Sequence, residues 1–593
     1  MQVNQLSTNG FALTDVFDAE LLDEICTVCN TFEAKDTRPG FGGHREVTDL
    51  NLTELQKKIT EAIKHIIPGK LSGMELWRDY PGYENPSHVD DFKVQNVLIV
   101  YLGDEELDIG TGYTEGQEYT VPYKKNTGIM LLNSNKILHG MVGKVPENVV
   151  RKTLYINWRV KPDNLCMAPW THTYLSPQTE RRMCCASREP AQNFQQYIDT
   201  AGGTGRYIPI TLDEHWNGEH MRSVRRRMIA GETLPECEVC NDKLLNTSVY
   251  RDYFNQLFGT KYLHAMNNTE ADGSTTLKPV SWDYRFSNLC NFKCRMCGDM
   301  LSSSWETEQR QHNMINWDNP KNSWMLPEVK KQIESFQQDQ IEAEFSEAVE
   351  QHRVEEVYWV GGEPLMYEQH WRYMKRIVEL GDGQNVYARY NTNLSRVDYR
   401  GTNLYRDILP RLRDWQICAS LDGTGAIGEY IRTGLDYNSW LENFAQGVAI
   451  ATHPRQMRID FTLTLPGMFE IERIERLSAT YSVQVLAKVI FSFSPDIVMS
   501  PLALPRELLD PWIDETISKL APNGVESHPL KDILVQLKTR PTFQEQWPNE
   551  YKNGLAKGKA RVLKLEQIRT QPITMTDILA QRPEVLKWWM SIE

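Results

Sequence analysis

The cysteines of this chain are confined to short stretches, and that distribution limits what it can fold into. Of eleven, Cys26 and Cys29 lie near the start and Cys166, Cys184, Cys185, Cys237 and Cys240 fill a middle stretch. Cys290, Cys294 and Cys297 form a tight knot, and Cys418 stands alone. Residues 1–17 lack a basic segment followed by an apolar one, and no window reaches the ~18 apolar residues of a spanning helix. A cytoplasmic location without a membrane partner is therefore expected, and in a reducing compartment clustered cysteines point to metal or redox chemistry rather than disulfides. At about 100–200 residues per domain, a chain of 593 residues is expected to hold several domains. A balance of 65 basic against 79 acidic residues, net −14, argues against a nucleic-acid partner. The one dense basic run is Arg225, Arg226 and Arg227.

Residues 1–160 read as helices followed by strands. DAELLDEICTVCNTF places Leu21, Leu22, Ile25 and Val28 at helical spacing, and ELQKKITEAIKHII does so with Leu55, Ile59, Ile63 and Ile66. After Pro68 and Gly69 the period changes: MELWRDY, VQNVLIVYL, TGIMLLN and RKTLYINWRV are β-rich runs of the kind that build a barrel or jelly roll. KPDN at 161–164 reads as a linker, and residues 165–275 are turn-rich with one amphipathic helix around EHMRSVRRRMIAG. From Ser281 on, short apolar strands (VEEVYWV, NVYARYN, QICASLD, MRIDFTLTL, VIFSFS) alternate with helical stretches, the signature of βα units on a parallel sheet. Residues after about 505 are helix-forming.

The cysteine-free interval carries a different ligand set. His88 and Asp90 are separated by one residue, so on an extended chain both project from one face, and His139 ends a later β-rich run. Two imidazoles and a carboxylate form the facial triad of non-haem Fe(II) sites. Arg151 follows at the head of RKTLYINW, where a cation can hold a carboxylate by a bidentate pair; Lys152 is its rival, since only one of the two can face the pocket. The order His-x-Asp, His, Arg in a β-rich region resembles the 2-oxoglutarate/Fe(II)-dependent oxygenases, including their prolyl-hydroxylase-like branch. The resemblance implies a double-stranded β-helix (jelly roll) over 1–160. It also implies Fe(II) on His88, Asp90 and His139, 2-oxoglutarate on Arg151, and hydroxylation of a C–H bond.

SNLCNFKCRMCGDM presents Cys290, Cys294 and Cys297 as C-x3-C-x2-C after the apolar strand WDYRF. Three thiolates can hold three irons of a 4Fe-4S cluster and leave the fourth open, whereas zinc needs a fourth ligand and explains nothing downstream. Downstream, Gly361, Gly362, Glu363 and Pro364 end a buried strand, and YNTNLS (Asn391, Asn393), ASLDG (Ser420, Asp422) and YIRTG (Arg432) lie at strand ends or just beyond. These motifs resemble the radical S-adenosylmethionine (SAM) enzymes. The likeness implies a partial (β/α) barrel over 276–505, a reducible cluster on the three cysteines, and S-adenosyl-L-methionine held by the GGEP stretch. By the same resemblance Ser420 and Asp422 lie near the ribose, Arg432 near the methionyl carboxylate, and Asn393 among the cofactor-binding residues. Met296 stands where the family usually has an aromatic residue.

Cys166, one of Cys184 and Cys185, Cys237 and Cys240 supply four thiolates for a second 4Fe-4S cluster or a zinc ion. The run CMAPW, CC, WN, basic helix, C-x2-C resembles the SPASM/twitch auxiliary domain of radical SAM enzymes and implies a small twitch-like domain over 161–275. Cys26, Cys29 and Cys418 read as buried apolar residues, Glu342–Glu350 as a solvated helix face, and Trp588 and Trp589 as anchors of the last helix in a C-terminal helical extension, 506–593. Taken together, the sequence is expected to encode a bifunctional oxidative enzyme acting on a peptide, protein or small-molecule substrate and served by a reductant such as flavodoxin or ferredoxin. The alternatives are an oxygenase-like half that only docks substrate, and an iron-sulfur or zinc protein without turnover.

Overall fold

The computed structural model describes the chain except residues 40–42, 51–52, 68–69, 91–93, 95, 135–136, 160–163, 188–206, 242–249, 491–496 and 521–528. Pro68 and Gly69, most of the KPDN linker and the end of VIFSFS lie outside the described residues. Two compact units are present: residues 1–170 with 217–277, and residues 171–216 with 278–593. The stretch 161–275, read from the sequence as one small domain, contributes to both.

Over residues 1–159 the first unit is a two-sheet β-structure with the helices Ala19–Thr31 and Glu54–Ile63, and residues 217–277 add Glu219–Ile229, Tyr250–Phe258 and Tyr262–Asn267. The helix Ala19–Thr31 is capped by Asp18, whose side chain accepts from Leu21 N, and buries Leu21, Ile25 and Cys29. The helix Glu54–Ile63 is capped by Thr53 and buries Leu55, Ile59 and Ile63. These apolar stripes cover one face of an eight-stranded antiparallel sheet, meeting Leu76, Leu98, Met130 and Leu154. The opposite face, carrying Val97, Ile99, Tyr101 and Ile129, packs on a three-stranded sheet (Leu107–Glu115, Gln117–Tyr123, Leu138–Met141) through Ile109, Tyr113, Val121 and Tyr123. The alternation of Val97, Ile99 and Tyr101 with Leu98, Val100 and Leu102 divides one strand between two cores. The expected strands are present as Lys70–Asp79, Asn96–Tyr101, Thr127–Leu131 and Arg151–Arg159. Seven more are present, of which His44–Asp49 and Leu107–Glu115 carry too many polar or Gly residues to show in the pattern.

The second unit is built on an eight-stranded sheet whose parallel members run His172–Leu175, Ser281–Tyr284, Glu356–Trp359, Tyr387–Thr392, Asp414–Ser420, Met457–Leu463 and Gln484–Val489. The first of these comes from the cysteine-rich segment and extends the sheet beyond the strand that precedes the cysteine knot. One face is apolar, with Trp282, Val357, Trp359, Ala388, Ile417, Ile459 and Phe461 in a core shared with the C-terminal helices through Leu509, Leu534, Leu555, Val585 and Trp589. The other face is polar: His172 bonds Ser281 (2.7 Å), Ser281 bonds Glu356, and Arg389 donates to Glu356 (2.9 Å). Tyr358 donates to Asn391 (3.0 Å), Asn391 to Asp460 (3.0 Å), and Lys488 pairs with Asp460 (2.9 Å). Cys418 is buried, as expected, but on this polar face beside Asp460, Arg458 and Arg389.

One charged feature departs from its sequence reading. Glu344 is not a solvated residue: it is 8% exposed, takes Arg181 in a bidentate pair and accepts from Tyr284 Oη (2.8 Å) and Leu212 N (2.8 Å). A helix face rich in glutamate gives no sign of which member a buried arginine will select. The basic run is consumed internally as well. Arg225 is fully buried and donates to Pro169 O (2.9 Å), Arg226 pairs with Glu219, and Arg227 with Glu232 and Glu236. Trp588 and Trp589 anchor the last helix, Pro583–Met590, as expected. No described helix is long and apolar enough to cross a membrane.

Candidate metal centres and cofactor pockets

In the first unit His88 and His139 face each other across a two-way backbone bridge, His88 N to His139 O (2.8 Å) and His139 N to His88 O (2.9 Å). Each imidazole Nδ1 bonds the carbonyl two residues earlier, Pro86 O and Ile137 O, both at 2.8 Å. With Nδ1 donating to a carbonyl, the ring presents a bare Nε2, the tautomer a metal requires. Both Nε2 atoms turn to Asp90: His139 lies 3.4 Å from Oδ2 and His88 3.7 Å from Oδ1. All three ligand atoms lie within 4.8 Å of one another, the one such group among the described residues. Asp90 Oδ2 is buried and accepts no hydrogen bond. A buried, bare carboxylate oxygen between two bare imine nitrogens fits a divalent cation such as Fe(II).

The triad opens on a cavity of about 340 Å³. Arg151, 3% exposed, lines it, and Lys152 projects from the other face of the strand, toward Cys26 and Cys29. Of the two cations offered by the sequence, Arg151 is the one that faces the cavity. Sequence reasoning missed the device that holds it. Arg45, Asp79 and Arg151 are register partners on three adjacent strands, and the fully buried Asp79 carboxylate takes Arg151 Nη1 (2.8 Å) together with Arg45 Nε (2.5 Å) and Nη2 (3.0 Å). Arg151 Nε donates to Ile109 O (3.0 Å), and Arg45 lies over Trp77 (3.8 Å), which stacks on Tyr155 (4.3 Å). Two guanidiniums on one carboxylate leave a surplus positive charge at the cavity wall, complementary to an anionic ligand.

In the second unit the cysteine loop follows the strand Ser281–Tyr284. Lys293 and Cys294 pair with Thr433 and Arg432, Cys297 N donates to Cys294 O (3.0 Å), and Trp305 Nε1 donates to Cys294 O (2.7 Å). Burial pushes the Cys297 thiol up to about 12 and raises Cys290 and Cys294, so these sulfurs are protonated until a metal displaces the protons. The GGEP stretch lies directly against this loop: a Cβ on Gly362 would stand 2.3 Å from Leu289 O, and Gly361 has φ +129°, a backbone region open to glycine. Glu363 N donates to Leu289 O (2.8 Å) and Pro364 starts the following turn. The Glu363 carboxylate receives Thr392 Oγ1 (2.7 Å), Asn393 N (2.6 Å) and Leu365 N (3.1 Å), and burial pushes its carboxyl up to about 7 despite them. Asn393 Nδ2 reaches Asn291 Oδ1 (2.9 Å) inside the cysteine loop. Arg432 bridges Asp422 (2.7 Å) and the Cys294 sulfur (3.8 Å), and Asp422 also accepts from Thr462 N (2.7 Å). Ser420 is half-buried at its strand end, in register with Asp460, and Met296 packs on the core.

With strand, cysteine loop, GGEP turn and Arg432 converging on one sheet edge, a family model described as the Radical SAM superfamily matches residues 284–475. This chain carries a radical SAM domain. The match begins at the end of the strand before Cys290 and runs through Arg432 and Asp460, so it takes in the cysteine loop and the part of the polar sheet face from Glu356 to Asp460. A comparison with curated proteins found no match.

Solved structures similar to part of the chain include a Pseudomonas putida prolyl-4-hydroxylase, 16% identical, covering 26% of this chain and 94% of the hydroxylase at a TM-score of 0.21. A 2OG-Fe(II) oxygenase family oxidoreductase from Burkholderia pseudomallei is 10% identical, covering 27% of this chain and 94% of its own at 0.23. HygX from Streptomyces hygroscopicus, with nickel and 2-oxoglutarate bound, is 12% identical, covering 25% and 82% at 0.22.

The middle cysteines divide between the units. Cys166, Cys237 and Cys240 lie in the first, within electrostatic reach of one another, and burial pushes Cys237 up to about 11. Cys184 and Cys185 belong to the second, Cys185 beside Tyr174, Arg285 and Tyr358, so neither unit by itself holds four of the five.

Proposed function

We propose that this chain is a bifunctional oxidative enzyme that joins Fe(II)/2-oxoglutarate-dependent C–H hydroxylation to radical SAM hydrogen abstraction. What carries the reading is that the first unit gathers the ligand atoms of His88, Asp90 and His139 within 4.8 Å of one another, and that the second sets the loop of Cys290, Cys294 and Cys297 against the Gly361–Pro364 turn and Arg432. In the first, His88, Asp90 and His139 would hold Fe(II), and Arg151, oriented by Asp79 and Ile109 O, would take a carboxylate of 2-oxoglutarate. Iron and the 2-oxo acid, when bound, supply O2 activation for hydroxylation. The residues' own work is to fix both imidazole tautomers through Pro86 O and Ile137 O, and to keep the cavity wall positive.

In the second, Cys290, Cys294 and Cys297 would hold a 4Fe-4S cluster, with S-adenosylmethionine at its open iron supplying one-electron C–S cleavage. Here Gly361 and Gly362 let the backbone close on the cysteine loop, Glu363 offers a buried carboxylate to the methionyl amine, and Arg432 stands beside Cys294 for the carboxylate. Cys166, Cys237 and Cys240 of the first unit are proposed as ligands of an auxiliary 4Fe-4S cluster. A peptide or protein is the proposed substrate, a basic one being favoured by the net charge of −14, and flavodoxin or ferredoxin the proposed reductant.

Anaerobic reconstitution tests both halves. About nine irons and about eight sulfides per chain, from two 4Fe-4S clusters and the triad iron, with S-adenosylmethionine cleavage on reduction, are expected; zinc without sulfide would sink the radical half. Once O2 is admitted, conversion of 2-oxoglutarate and O2 to succinate and CO2, with the second oxygen atom passing to the substrate, is expected of the first unit and should be abolished by His139→Ala. Equal turnover in that variant would refute the iron site.

A further inference from the structure

Outside the motifs, the most heavily engaged group near the cysteine loop comes from the far end of the chain. Arg569 closes the helix Tyr551–Arg569, and its side chain is 0% exposed. Its Nη1 donates to the Lys293 carbonyl (2.8 Å), within the cysteine loop, and to Thr433 Oγ1 (3.1 Å), next to Arg432. Nη2 and Nε grip Glu308 (2.8 and 3.2 Å), which Lys293 Nζ also contacts (2.7 Å). The guanidinium lies 4.3 Å over Trp305, whose indole N–H holds Cys294 O. After Thr570, in the left-handed region at φ 45°, Gln571 accepts from Arg295 Nη2 (2.6 Å) and donates to Glu429 O (2.9 Å). Arg295 in turn lies 3.8 Å over Tyr430, whose hydroxyl bonds Glu566 of the same C-terminal helix (2.6 Å). The residues on both sides of Cys294, Lys293 and Arg295, are therefore each tied to the C-terminal segment.

We propose that Arg569 and Gln571 are positioning residues for the radical cluster: they lock the loop around Cys294, and Arg569 brings a buried positive charge to the cluster. This rests on the radical SAM reading of the three cysteines. A loop bearing three ligands spaced by three and two residues must hold its sulfurs at fixed separations, and its local hydrogen bonds alone leave Lys293 O and the Arg295 side chain to outside partners. A reduced cluster carries one more negative charge than an oxidised one, so a buried cation stabilises the reduced form.

The test uses the full chain with Arg569→Gln, Arg569→Lys and Gln571→Ala, the last at a half-buried residue whose loss leaves the core intact. In the iron-free protein, hydrogen exchange in peptides spanning 290–297 is expected to quicken at least tenfold in Gln571→Ala and Arg569→Gln, with the strand Tyr387–Thr392 unchanged. In the reconstituted protein, Arg569→Gln is expected to weaken one-electron reduction about tenfold, a midpoint lower by about 59 mV, and Arg569→Lys to restore it. Unchanged exchange and midpoint, or exchange that quickens equally in both regions, would overturn the proposal. Failure of the wild-type chain to take up iron and sulfide would instead refute the radical reading, and the iron-free exchange would still judge the loop contacts.

Discussion

Replacing Arg151 and Lys152 one at a time separates the two cations that the sequence offered as anchor for a 2-oxo acid. Arg151 lines the cavity with its guanidinium held by Asp79 and Ile109 O, while Lys152 projects from the opposite face. Removing one partner of a buried charge pair costs about 2–5 kcal/mol. Because Asp79 already compensates part of the Arg151 charge, the lower half applies, about 2–3 kcal/mol, or roughly a 30- to 150-fold loss of 2-oxoglutarate affinity in Arg151→Gln. The fold should survive, since Asp79 keeps both bonds from Arg45. Lys152→Gln should bind as the wild type does. Calorimetric titration of 2-oxoglutarate into the anaerobic, Fe(II)-loaded full chain measures both. Equal affinity in Arg151→Gln, or a larger loss in Lys152→Gln, would refute the assignment.

Three further outcomes follow from the same geometry. Asp79→Asn leaves Arg45 and Arg151, 5% and 3% exposed, without their shared anion; a loss of about 3–5 kcal/mol is expected in urea unfolding, and an unchanged midpoint would contradict it. Gly362→Ala drives a Cβ into Leu289 O and Asn288 C, backbone atoms just before Cys290. Its iron and sulfide content after reconstitution should fall well below wild type, and full content would show that the loop yields. His172 and His370 are buried, and burial pushes both down to about 3. The unfolded chain binds protons below about 6.5 that the folded one refuses, so stability is complete above that pH. It falls by about 1.4 kcal/mol per pH unit for each histidine on acidification toward 3. Melting temperatures that stay level from about pH 7 to pH 5 would refute this.

The cysteine loop, the GGEP turn and the His88, Asp90 pair were legible because their members lie within a few residues of one another, where spacing alone fixes which side chains share a face. The alternating strands of the second unit were legible because a parallel sheet buries one face of every strand. Short polar strands such as His44–Asp49 and His172–Leu175 were not, since neighbours on the sheet rather than their own pattern select them.

Sequence alone thus singled out the two candidate ligand sets, but not that the stretch 161–275 divides between the two units. Only the tertiary structure decided what holds those ligands in place. Arg45, Asp79 and Arg151 meet because three antiparallel strands share a register, and Glu344 finds Arg181 across more than a hundred residues of chain. Arg569 reaches the loop around Cys294 because a C-terminal helix docks where a cation, a carboxylate and an indole can all be satisfied away from water. Such groups carry no local signature: a buried charge is stable only beside its partner, and the fold, not the spacing, supplies that partner.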